Sequence, residues 1–76
     1  MRKIQDKNIN DIDVGLMVRT YLSEHGIKIS WLATQIHTDR SNCYRILNRK
    51  NMDVLLLARI SQCVGFNFIE ELSKKI

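Results

Sequence analysis

Apolar residues recur along this chain at steps of three and four, the period of a helix with one buried face. Val14, Met17, Val18, Tyr21 and Leu22 make the first such face. Asp11 or Asp13 can cap its start and Gly26 can stop it, which predicts a helix over roughly 13–25. Gly15 weakens that helix, since glycine costs about 1 kcal/mol relative to alanine in a helix interior. Ser30 is the next capping candidate. Trp31, Leu32, Ala33 and Ile36 follow it in a short helix that ends at His37. Thr38 or Asp39 then caps a third helix over 41–47, with Cys43, Ile46 and Leu47 apolar. Asp53 caps a run of Val54, Leu55, Leu56, Leu57, Ala58, Ile60, Cys63 and Val64, whose polar side is only Arg59, Ser61 and Gln62. A helix so apolar must be nearly surrounded by protein, or face a second subunit. Gly65 ends it. Asn67 caps a last helix over 68–75 that turns Phe68, Ile69, Leu72 and Ile76 inward. Residues 1–10 are polar and carry no stripe, so a flexible arm is expected ahead of a domain at 11–76.

Composition narrows the class to all-α. The chain has 76 residues, no proline and three glycines. A hairpin-rich β fold needs more turn chemistry than that. The apolar share of 45% excludes wholesale disorder. One small domain of this size buries about 60–65% of the surface its unfolded chain exposes. No apolar run approaches the roughly 20 residues of a membrane span. Gln5–Asn8 is polar where a secretory signal needs an apolar stretch. Cys43 and Cys63 fall at apolar helical positions, which fits reduced thiols and a cytoplasmic setting.

The net charge of +4 is unevenly placed. Acidic and basic residues cancel over 1–25 and again over 51–76. Residues 26–50 hold Lys28, Arg40, Arg45, Arg49 and Lys50 against Asp39 alone. A focused basic stretch fits either a polyanionic partner or a solvated face. Between 29 and 46 two short helices meet across a turn of three or four residues. Ala33 is the small residue at their close approach, and Leu32, Ile36, Cys43 and Ile46 seal them onto the rest. Leu32→Asp or Ile46→Asp should therefore unfold the domain by burying a charge. The second helix turns Arg40, Ser41, Asn42, Tyr44 and Arg45 outward, an arrangement suited to the major groove.

The stretch from Trp31 to Asn48 resembles the helix-turn-helix of phage-repressor/Cro-like regulators. Leu57, Ile60, Val64 and Gly65 look like that family's fourth helix, so the resemblance runs over about 12–76. It implies a compact five-helix lambda-repressor-like domain, with helices two and three as the DNA-reading unit. Two positions depart from the family pattern. His37 stands where glycine is usual in the turn, and Thr38 stands where an aliphatic residue is usual. A residue at 37 must then accept or avoid a positive φ.

The implied function is sequence-specific binding of double-stranded DNA by a small prokaryotic-type transcriptional regulator, repressor-like, with helix three (about 39–47) in the major groove. Base readers are expected among Arg40, Ser41, Asn42 and Arg45. An arginine can bond guanine O6 and N7 together, and asparagine suits adenine. Ser30, Trp31, Thr34, Gln35, Thr38, Tyr44, Arg49 and Lys50 are the backbone candidates, although Trp31 reads more readily as core or a packing plate than as a DNA contact. About six phosphate contacts would make binding fall steeply with salt. The C-terminal apolar residues Leu55, Leu56, Phe66, Phe68 and Ile69 suggest a homodimer. The alternative is a protein-interaction module of the same fold, such as an antitoxin-like or adaptor partner. His25, His37, Cys43 and Cys63 match no zinc spacing. No paired carboxylates or phosphate loop suggest catalysis. No enzyme activity, cofactor, metal or small-molecule ligand is expected.

Overall fold

The computed structural model describes residues 12–75, which form five helices: α1 (Val14–Glu24), α2 (Ile29–Gln35), α3 (Arg40–Leu47), α4 (Val54–Val64) and α5 (Phe68–Ser73). No strand occurs among the described residues. The expected arm at 1–10, the Asp11 cap and Ile76 lie outside them.

Side-chain caps set four of the five starts. A helix leaves its first amides without intrahelical acceptors, and a short polar side chain just ahead satisfies them. Asp13 accepts from the Leu16 amide at 2.9 Å, Asp39 from Asn42 at 2.7 Å and Asp53 from Leu56 at 3.2 Å. Asn67 accepts from Ile69 at 3.1 Å and Glu70 at 3.0 Å. α2 is the exception. Lys28 stands at its N-cap with no side-chain hydrogen bond, and Ser30 lies inside the first turn rather than capping it. The cause is upstream. Gly26 takes φ 66° and the Ile27 amide bonds back to the Leu22 carbonyl at 2.8 Å. That tight exit from α1 packs both Ile27 and Ile29 on the core, and α2 begins at Ile29.

One core unites the helices. Val14, Val18 and Leu22 of α1 face Leu32, Ala33 and Ile36, then Cys43 and Leu47, Leu57 and Ile60, and Phe68. α2 packs against α3 and α4, α1 against α3, and α4 against α5. Rings of Tyr21, His25, Phe66 and Phe68 stack or meet edge-on, with centroids 4.0–5.3 Å apart, and tie α1 to the C-terminal segment.

Several inward positions differ from expectation. Leu47, not Ile46, closes the α3 face: Leu47 is fully buried and Ile46 half-buried. Both flank Cys43 on the helix wheel, by about 40° and 60° on opposite sides. The docking of α1 selects the Leu47 side. α4 is not surrounded. Val54 is 58% and Leu55 72% exposed, because α4 turns Leu57 and Ile60, flanked by half-buried Leu56, Cys63 and Val64, toward the core and leaves its first two residues outside it. Ile69 is exposed rather than inward. Phe68 points inward as expected and lies wholly in the core, so it adds nothing to the apolar surface suggested for a homodimer.

α1 and α3 interlock through backbone. The Val14 amide donates to the Lys50 carbonyl at 2.9 Å and the Gly15 amide to that of Arg49 at 3.1 Å. Arg19 donates from Nε to the Leu47 carbonyl at 2.9 Å. Unpaired donors at the start of α1 thus meet carbonyls of the segment just after α3, and Arg19 meets the carbonyl of its last residue.

Candidate nucleic-acid interface

The turn between α2 and α3 is built by backbone hydrogen bonds and one strained residue. The Ile36 amide donates to Leu32, His37 to Thr34 and Thr38 to Ala33, the last at 2.9 Å. His37 accepts the positive φ, at 59°. Ala33 is buried, and its carbonyl is the acceptor that closes the turn. Asp39 then starts α3.

Three polar side chains, one in the turn and two on α3, form a relay. Asn42 donates from Nδ2 to the Thr38 hydroxyl at 2.7 Å. Its Oδ1 accepts from a terminal nitrogen of the Arg45 guanidinium. Both ends of the Asn42 amide are therefore engaged, and Asn42 is half-buried while Arg45 is exposed. The guanidinium is held at one corner, with most of its five N–H donors left over.

A second grouping lies on the other flank of α3. Arg19 and Ser23 of α1, Lys28, Ser30 of α2, and Arg40 and Tyr44 of α3 line an open groove of about 460 Å³. Leu22, Ile27 and Ile29 supply its apolar wall. No carboxylate lines it. The described residues contain one ion pair, between Lys74 and Glu71 at 3.8 Å, remote in sequence from this surface. The cations at 19, 28, 40, 45, 49 and 50 are thus unpaired among the described residues.

Of the residues singled out in the sequence, Arg40, Tyr44 and Ser30 come together in the groove. Thr38, Asn42 and Arg45 come together in the relay. Ser41 and Gln35 are exposed outside both groupings. Thr34 is exposed too, and its hydroxyl donates to the Ser30 carbonyl at 3.2 Å. Trp31 is 42% exposed and lies at the surface rather than serving as a plate on the core. Arg49 and Lys50 expose their side chains while their carbonyls hold α1. Arg19, Ser23 and Lys28 were missed as site residues. Lys28 was legible within the basic stretch. Arg19 carried one signal: it stands four residues from Gly15, so both share the face that α3 meets.

Cys43 lies on the inner side of α3, and burial pushes its thiol above the ordinary value. No group of three or more His, Cys, Asp or Glu is placed to hold a metal among the described residues. No described helix is long and apolar enough to cross a membrane. Comparison with family models, curated proteins and solved structures returned no match.

Proposed function

We propose that the chain is a sequence-specific double-stranded DNA-binding protein, a small repressor-like transcriptional regulator. On this reading α2 and α3 form a helix-turn-helix within a lambda-repressor-like domain. The observation that carries it is α3 itself: Cys43 and Leu47 are buried on one side, and exposed Arg40, Ser41, Tyr44 and Arg45 cover the other, with no carboxylate paired to the arginines among the described residues. The major groove of B-DNA is about as wide as one helix.

Arg45 is the proposed guanine reader, contributing about 1–3 kcal/mol of discrimination. Ser41, exposed in the first turn of α3, meets an adjacent base edge. Asn42 holds the Arg45 guanidinium through Oδ1. Thr38, Trp31, Thr34, Gln35, Arg49 and Lys50 flank this face as backbone contacts. A second copy of the chain is the proposed partner for the exposed Val54 and Leu55 of α4, so that two α3 helices read half-sites about 34 Å apart.

Selection from a random duplex library at about 0.15 M salt tests this reading. Enrichment of one site supports it, and a dyad in that site supports the pair. Retention that is steep in salt without enrichment reduces it to nonspecific binding. No retention overturns it in favour of a protein-interaction module.

A further inference from the structure

The groove between α1, α2 and α3 lies beside the face that is proposed to read bases. Resting on that reading, we propose that the groove seats one phosphodiester of the duplex, with Arg19, Lys28 and Arg40 as its three cations. They come from three separate segments: the middle of α1, the N-cap of α2 and the first residue of α3. Three cations line this open space with no carboxylate among its lining, a local excess of positive potential that attracts an anion. Two of the three are guanidiniums, whose planar fork matches phosphate oxygens. Ser23, Ser30 and Tyr44 add hydroxyl donors around the rim.

Arg19 is the cation that gives this seat its geometry. Its Nε donates to the Leu47 carbonyl at the end of α3, which fixes the plane of the guanidinium. The other N–H groups remain for a ligand. Arg19 therefore ties the seat to the end of α3. The seat also assigns Arg40. Arg40 shares the groove with Lys28 and Tyr44, and so it grips backbone, leaving Arg45 as the arginine that reads guanine. A duplex phosphate is favoured over a free one because Arg40 and Tyr44 belong to α3, the helix proposed to enter the major groove, and the groove is open to solvent.

The test uses Lys28→Gln and Arg40→Gln, both at exposed positions away from the core. Affinity is measured on the selected duplex and on random duplex across a salt series, with Arg45→Ala as the contrast. Each groove variant should weaken both duplexes by the same factor, about tenfold. Each should also lower the slope of log affinity against log salt by about one. Arg45→Ala should weaken the selected duplex and leave random duplex nearly unchanged. Arg40→Gln that changes base preference with an unchanged slope overturns the seat, as do two unchanged slopes. In a second arm, the wild-type protein without DNA is titrated with inorganic pyrophosphate and followed by the amide resonances of Ser23, Lys28 and Ser30. Saturation at micromolar pyrophosphate together with unchanged duplex slopes overturns the duplex phosphodiester in favour of a free phosphate ligand. A wild-type protein that binds no duplex overturns the DNA reading itself. Unchanged slopes in variants of a wild type that binds overturn only the groove.

Discussion

A Cβ at position 15 would lie 2.2 Å from the Arg49 carbonyl oxygen and 2.3 Å from that of Leu47. These are backbone atoms and have nowhere to go. In an ordinary helix Gly→Ala gains about 1 kcal/mol. Here steric overlap and the loss of two amide–carbonyl bonds outweigh that gain. Gly15→Ala should destabilise the domain by about 2 kcal/mol or more, read from urea unfolding. From sequence alone Gly15 is a flaw in a helix; only the approach of α3 turns it into a requirement. Cys43 gives the second residue-scale prediction. Its raised folded pKa means that above 9.0, the ordinary thiol value, the unfolded chain sheds a proton that the folded chain keeps. Stability from this group is fully present below that pH and falls as pH rises through the folded value. Cys43→Ser should remove that part of the alkaline slope. A thiol reagent at neutral pH should meanwhile label half-buried Cys63 well before Cys43.

At the scale of elements, α3 is held by Leu47 and by its backbone exchange with α1. Leu47→Asp should abolish the cooperative melt, because it buries an unpaired charge. Ile46→Asp should fold, since Ile46 is half-buried and makes no part of the core. Circular dichroism melts of the two variants check both outcomes. Sequence periodicity could not separate these neighbours, since each flanks Cys43; the position of α1 decided between them. α2 offers a different test. It lacks a capping side chain, so Lys28→Ser should stabilise the fold by about 0.5–1 kcal/mol. The same change should weaken duplex binding, because it removes a groove cation. Higher stability by urea with lower affinity by titration is the expected pair of results. Most helix starts were legible because aspartate and asparagine caps act within three residues. The start of α2 was not, because it depends on how the chain leaves α1.

For the whole molecule, Phe68 is the residue on which the C-terminal segment closes. It is fully buried and meets Tyr21 and Phe66 edge-on. Phe68→Ala should cost about 3–5 kcal/mol. That approaches the entire stability of a small domain, on the order of 5 kcal/mol. The expected thermogram is broad or absent, and a sharp melt within a few degrees of wild type would contradict this placement. Asn67 and Gly65 mark α5 clearly in the sequence. The contact of Phe68 with a ring on α1 spans nearly fifty positions of chain, and nothing local signals it.

Local chemistry determined the helical class, the five elements, four of their caps, the buried stripe of α1 and the basic stretch around α3. Each of these depends on residues within a turn or two of one another, where spacing and capping act directly. Tertiary structure decided what depends on the approach of distant segments. It made Gly15 indispensable, chose Leu47 over Ile46, left Val54 and Leu55 uncovered, and brought Arg19 to Lys28 and Arg40. The physical reason is that a helix wheel fixes which residues share a face, while the neighbours that bury or charge that face come from elsewhere in the chain.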